Sequence, residues 1–103
     1  MCGIAGWYRR GGRAVSSDIL DQQCNKIIHR GPDDEGTFAD GDFGFGMRRL
    51  SILDIAGGHQ PMISADQRFA IVFNGQIYNH LDVRGELSAY PFTTRSDTET
   101  ILA

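Results

Sequence analysis

Apolar positions fall into short, differently spaced runs along this chain, and each run predicts an element. Cys2 to Tyr8 is short, apolar and aromatic, which predicts a buried strand ending at Arg9-Arg10-Gly11-Gly12. Ser17 followed by Asp18 can cap a helix reaching about His29, and Ile19, Leu20, Ile27 and Ile28 put Cys24 on its buried face. His29 to Gly36 predicts a loop, because Gly and Pro break any regular pattern and Pro32 pushes Gly31 from helical geometry. Thr37-Phe38-Ala39 and Phe43 to Met47 flank Asp40-Gly41, a pair that favours a tight turn between antiparallel strands. Arg49 to Asp54 alternates like a further strand or its end, and Gly57 to Pro61 is a loop. The unbroken apolar run Phe69 to Phe73 predicts a central strand closed by Asn74-Gly75. Val83, Leu87 and Tyr90 share one face of a helix from about Asn79 to Ala89, and Ser96-Asp97-Thr98-Glu99 reads as a capping box opening a last helix. Five short strands flanked by helices predict an α+β fold of antiparallel sheet packed on helices.

That last helix stops at Ala103 after barely two turns, so the pattern predicts continuation, and residues 1–103 are expected to be the N-terminal part of a larger domain. A chain of 103 residues is one domain at most and buries only a modest core. Net charge is −3, and Lys26 is the only lysine. Dispersed arginines against 13 acids form no basic face, which argues against a nucleic-acid partner. Arg9, Arg10 and Arg13 flank Gly11-Gly12 and are expected on a solvated turn. The longest apolar run is too short to span a bilayer, and the start lacks the order of a signal peptide, so no membrane association and a cytoplasmic location are expected. Two cysteines cannot build a disulfide framework. His29, His59 and His80 lie far apart and make no metal-ligand spacing with each other or with the cysteines, so no metal is expected.

Candidate chemistry starts at Cys2, directly behind the initiator methionine. Removal of Met1 leaves one residue carrying both a thiol and a free α-amine. Near neutrality part of such an amine is unprotonated and can take a thiol proton, as a terminal threonine uses its own amine. Position alone leaves a second role open, a small apolar residue starting a strand.

Four separated motifs decide between these roles: CGIAGWY at 2–8, HRGPDDEG at 29–36, RLSILD at 49–54 with GGHQP at 57–61, and NGQIYNH at 74–80 followed by SDTE at 96–99. In these residues, and in their order from end to end, the chain resembles the glutaminase domain of class II glutamine amidotransferases, which are N-terminal nucleophile hydrolases. HRGPD and RLSILD bring it nearest the asparagine synthetase branch. The resemblance implies a sandwich of antiparallel sheets flanked by helices (αββα), here truncated, with Cys2 attacking the side-chain amide of glutamine to give a thioester and ammonia. It also implies that Asn74, through its side-chain amide, and Gly75, through its backbone N–H, stabilise the oxyanion. An Asn-Gly turn fits the same two residues, but a hairpin turn calls for a following strand, and Ile77-Tyr78-Asn79-His80 leads into a helical pattern.

By the same resemblance Arg49 holds the glutamine α-carboxylate, a contact suited to a planar fork, while its neighbour Arg48 is expected to be solvated. The backbone around Leu50 and Ile52 lines the pocket in that family. Asp97 matches the carboxylate that takes the α-ammonium, and a helix cap shared with Ser96 is equally natural there. The family usually reads NGE where this chain has Asn74-Gly75-Gln76, so Gln76 can accept a hydrogen bond from the ammonium but brings no charge. His29, Arg30 and Pro32, like His59 and His80, are expected to be structural.

The expected partners are glutamine and a C-terminal synthetase domain absent from this chain, with a homodimer admitted. No cofactor is expected here, because ATP and magnesium belong to that missing domain. The rival expectation is a catalytically incompetent glutamine-binding or structural fragment, which retention of Met1 or loss of the completing strands would favour. On its own the chain is expected to be weakly active or inactive, with exposed sheet edges that invite association.

Overall fold

The structure is a computed structural model that describes residues 2–11, 14–50 and 57–103. Strand β1 (Gly3–Tyr8), helix α1 (Ser17–Lys26), β2 (Asp34–Asp40), β3 (Phe43–Arg49), β4 (Met62–Ile63), β5 (Ala70–Ile71), α2 (His80–Glu86) and α3 (Asp97–Leu102) follow in order. The strands form a three-stranded antiparallel sheet, β1-β3-β2, and a two-stranded ladder, β4-β5. Helix α1 packs on the larger sheet and α3 on the smaller, so the architecture is α+β with each sheet carrying its own helix.

Leu20 and Cys24 of α1 are fully buried and sit over β3. Gly44 and Gly46 of β3 make this close approach possible, since a Cβ at Gly46 would lie 2.4 Å from the Cys24 sulfur and one at Gly44 2.7 Å from Leu20. The opposite face of β3 carries Phe43 and Phe45; Phe45 stacks with Phe38 of β2 at 5.6 Å and Phe43 packs tilted against it at 6.2 Å.

Several elements differ from the sequence expectation, each for a local reason. β1 lies at the edge of its sheet with Ile4 and Tyr8 exposed, so it is not a buried strand. The cap of α1 is Ser16 rather than Ser17, and the helix ends at Lys26, where Ile27 N–H bonds Cys24 O and a single 3₁₀ turn (Ile28–Arg30) takes over. β2 begins at Asp34, inside the expected loop, because Glu35 pairs in register with Arg48 and its carboxylate meets the Arg48 guanidinium at 2.7 Å. Arg48 is therefore buried, not solvated: its Nε also donates to Gly31 O at 2.9 Å. The hairpin turn is one residue further on than expected, at Gly41-Asp42, and the positive φ falls on Gly41 at 61°.

Phe69 to Phe73 is not a central strand. Only Ala70 and Ile71 find ladder partners, in Met62 and Ile63, and the backbone of Phe73 pairs with the side chain of Gln60 in place of a neighbouring strand. Helix α2 is shorter than expected, ending at Glu86 just after the weak helix former Gly85. The expected strand over 49–54 contributes Arg49 as the end of β3, and 51–54 lie outside the described residues.

Ser96 caps α3, accepting from Thr98 N–H, but Glu99 does not reach back to close a capping box. Its carboxylate instead accepts from the backbone N–H and hydroxyl of both Thr93 and Thr94. Burial pushes this carboxyl up, but the hydrogen bonds from Thr94 and Thr93 outweigh it and hold Glu99 below its ordinary value. A carboxyl depressed in the folded state stabilises above its unfolded titration range, and that stabilisation is lost as pH falls through its folded value. Glu99→Gln is expected to cost about 2–3 kcal/mol near neutral pH. The gap between parent and variant in denaturant unfolding should shrink as pH falls through the range where the folded Glu99 carboxyl takes up its proton; an unchanged gap would contradict this.

Candidate active site

Cys2 immediately precedes β1, and its backbone is tied down from two directions. Its carbonyl accepts from Arg30 Nε at 3.1 Å and from Asn74 Nδ2 at 3.2 Å. The sulfur lies against the backbone of Leu50, 3.4 Å from the N–H and 3.8 Å from the carbonyl oxygen. Arg30, expected to be structural, thus anchors the residue that carries the thiol. Cys24 is a contrasting thiol: burial, helped by the charge of Glu35 and opposed by Arg48, pushes it up, so it stays protonated, enclosed between α1 and β3.

Beside Cys2 opens a cavity of about 390 Å³, within the range of small-molecule sites. Cys2, Arg49, Leu50, Asn74, Gly75, Gln76 and Asp97 all line it. Ile52 lies outside the described residues. Residues from the segment before β1, the end of β3, the loop after β5 and the start of α3 therefore converge on one space, although Cys2 and Asp97 stand at opposite ends of the chain.

Arg49 at the end of β3 is buried, with its guanidinium 3.9 Å from Asp34 Oδ2. Asp34 also meets His59 Nδ1 at 2.8 Å and accepts from Glu35 N–H at 2.9 Å. Asp97 uses Oδ2 to accept from Ile77 N–H at 2.9 Å, which clamps the far end of the Asn74–Ile77 segment to α3, while the cap itself is Ser96. Arg84 of α2 holds the approach to α3, donating to Thr94 O at 2.6 Å and lying 4.1 Å over the Phe92 ring.

Sequence reading missed five lining residues: Gln60, Phe73, Tyr78, Ser96 and Thr98. Of these, Gln60, Tyr78, Ser96 and Thr98 sat in motifs already noted and Phe73 closed an expected strand, but neutral side chains such as the Gln60 amide carry no periodicity or charge to mark a role in the site. No histidine lines the cavity: His29 is exposed, His59 faces Asp34, and His80 Nδ1 contacts Ile77 O at 3.0 Å. Among the described residues no group of three or more His, Cys, Asp or Glu is placed to hold a metal ion. No described helix is long and apolar enough to cross a membrane.

Comparison with known proteins bears on this arrangement. The family described as "Glutamine amidotransferase domain" matches residues 1–103. The chain belongs to the glutamine amidotransferase domain family. Among its relatives, glutamine-hydrolyzing asparagine synthetase 1 of Bacillus subtilis is 45% identical over 108 residues, covering 100% of this chain and 17% of the relative. Glutamine-hydrolyzing asparagine synthetase 2 of the same organism is 38% identical over 105 residues, covering 99% of this chain and 14% of the relative. The corresponding synthetase 1 of Saccharomyces cerevisiae is 36% identical over 102 residues, covering 99% and 18%. The chain thus spans less than a fifth of the length of these curated relatives. Both the family and the asparagine synthetase branch expected from HRGPD and RLSILD agree with these likenesses, and the α+β fold with antiparallel sheets is the one a glutamine amidotransferase domain of this kind was expected to have.

Proposed function

We propose that this chain hydrolyses the side-chain amide of glutamine with the thiolate of Cys2. The observation that carries the reading is the convergence of Cys2, Asn74-Gly75, Arg49 and Asp97 on one cavity in a glutamine amidotransferase domain. With Met1 removed, the terminal amine takes the thiol proton, and the sulfur attacks the carboxamide carbon. The carbonyl electron pair moves onto oxygen, where the Asn74 amide and the Gly75 N–H stabilise it. An Asn amide has two donor hydrogens, so the bond to Cys2 O leaves one for the oxyanion. Collapse of this intermediate breaks the C–N bond, and the amine returns its proton to the departing ammonia. Water then cleaves the thioester to glutamate and restores the thiol.

Arg49 pairs with the substrate α-carboxylate and Asp97 with its α-ammonium. Leu50 supports the sulfur through its backbone, and the family resemblance gives Ile52 a share in lining the glutamine pocket. The released ammonia serves a synthetase domain, a reading supported by the names of the relatives, and we place this chemistry in the cytoplasm as part of the same proposal.

Gln76 supplies the ammonium with a neutral acceptor where charge is stronger, a hydrogen bond to a charged group being worth about 1.5–3 kcal/mol against about 0.5–1.5 for a neutral one. Gln76→Glu is expected to lower KM for glutamine about 5- to 10-fold with kcat little changed. Steady-state glutamate release checks this, and an unchanged KM would contradict the role given to Gln76.

A further inference from the structure

Gln60 borders the cavity without being one of the groups assigned to the reaction, and it is only 5% exposed. Its Oε1 accepts from Phe73 N–H at 2.6 Å, and its Nε2 donates to Phe73 O at 3.3 Å. The side-chain amide therefore pairs with the backbone of Phe73 as a neighbouring strand would, at the point where β5 has run out of ladder partners. Nε2 also donates to Thr98 Oγ1 on α3 at 3.2 Å. One acceptor and both donors of a buried amide are thereby used, the condition under which such a network rigidifies its surroundings.

What this amide fixes is the entrance to Asn74-Gly75. Phe73 is the residue before Asn74, and Thr98 is the residue after Asp97. The far end of the same segment is held by Asp97 Oδ2 at Ile77 N–H. Both ends of Asn74–Ile77 are thus tied to the first turn of α3, one directly and the other through Gln60.

We infer that Gln60 is a positioning residue for the oxyanion site: it sets where Asn74 Nδ2 and the Gly75 N–H stand relative to the Cys2 sulfur. This inference rests on the glutaminase reading above. A shift of about 1 Å in such donors costs on the order of 10²-fold in rate, so the effect belongs on kcat rather than on KM.

The test is steady-state glutamine hydrolysis, with thermal melting, for Gln60→Leu, Thr98→Val, Asn74→Ala and the Gln60→Leu/Asn74→Ala double variant. Gln60→Leu is expected to lower kcat about 10- to 100-fold with KM within about threefold. In the Asn74→Ala background the same change should cost at least about fivefold less, because one of the donors it positions is already gone. Thr98→Val removes one bond with little change of shape, and it is expected to lower kcat about 3- to 10-fold with a reduced melting temperature but a folded protein; it decides the matter if Gln60→Leu does not fold.

A Gln60→Leu or a folded Thr98→Val protein that keeps its kcat, while Asn74→Ala loses it, overturns this inference and leaves the glutaminase reading standing. Equal losses in both backgrounds overturn it as well, since a general structural role acts independently of Asn74. Full activity in Asn74→Ala overturns the glutaminase reading itself and the positioning role with it.

Discussion

Cys2→Ala is expected to lose glutamine hydrolysis by at least about 10⁴-fold, the scale on which removal of a nucleophile acts. The sulfur forms the bond to substrate, and no other described group can replace it. Cys24 is fully buried between α1 and β3, with its thiol pushed up by burial, and it does not line the cavity. Stability should change little. The anchoring bonds from Arg30 and Asn74 go to the Cys2 carbonyl, which alanine retains, and the sulfur's own contacts with Leu50 are long at 3.4 and 3.8 Å. Initial rates of glutamate release alongside melting curves check both halves. A rate within tenfold of the parent would contradict Cys2 as nucleophile.

Asn74→Ala is the second large effect, expected to lower kcat about 10²- to 10³-fold, as loss of one oxyanion donor does. KM should move far less, because the donor acts on charge that develops only in the transition state. The deletion also removes one of two bonds to the Cys2 carbonyl, so part of the loss belongs to looser placement of the sulfur. Asn74→Asp separates the two contributions: it keeps the size of the side chain but sets negative charge against the oxyanion. It is therefore expected to be no more active than alanine, and activity near that of the parent would contradict the assignment.

What the sequence could and could not reveal follows from how each feature is encoded. Cys24 was legible because apolar spacing at 20 and 24 aligns with the helical period, and the hairpin was legible because Asp-Gly needs a turn, though the paired register moved the turn by one residue. Arg48 was misread because charge suggests solvent, whereas a partner directly across the ladder, Glu35, and a carbonyl at Gly31 make its burial favourable. Neither partner adjoins it in the chain, so no local pattern signals them. Phe69 to Phe73 misled for a related reason: an unbroken apolar run predicts a strand, but how far it pairs depends on β4, which supplies two partners, and on the Gln60 amide.

The candidate site divides in the same way. Cys2, Arg49, Leu50, Asn74, Gly75, Gln76 and Asp97 were named from motif resemblance, and the fold gathers them about one cavity, while Ile52 lies outside the described residues. Spacing alone could not have brought Cys2 beside Asn74, since that contact depends on β1 pairing with β3 and on the loop after β5. Gln60 and Thr98 were missed because their importance lies in hydrogen bonds spanning 38 residues.

The most direct test of the account is an intact and peptide-mapped mass of the protein after incubation with a glutamine-mimicking diazo-ketone, with free glutamine as competitor. The account predicts that Met1 is gone, that one equivalent of label sits on Cys2 and not on Cys24, and that glutamine suppresses it. Unmodified Cys2 behind a processed terminus, or label on Cys24 instead, would contradict it.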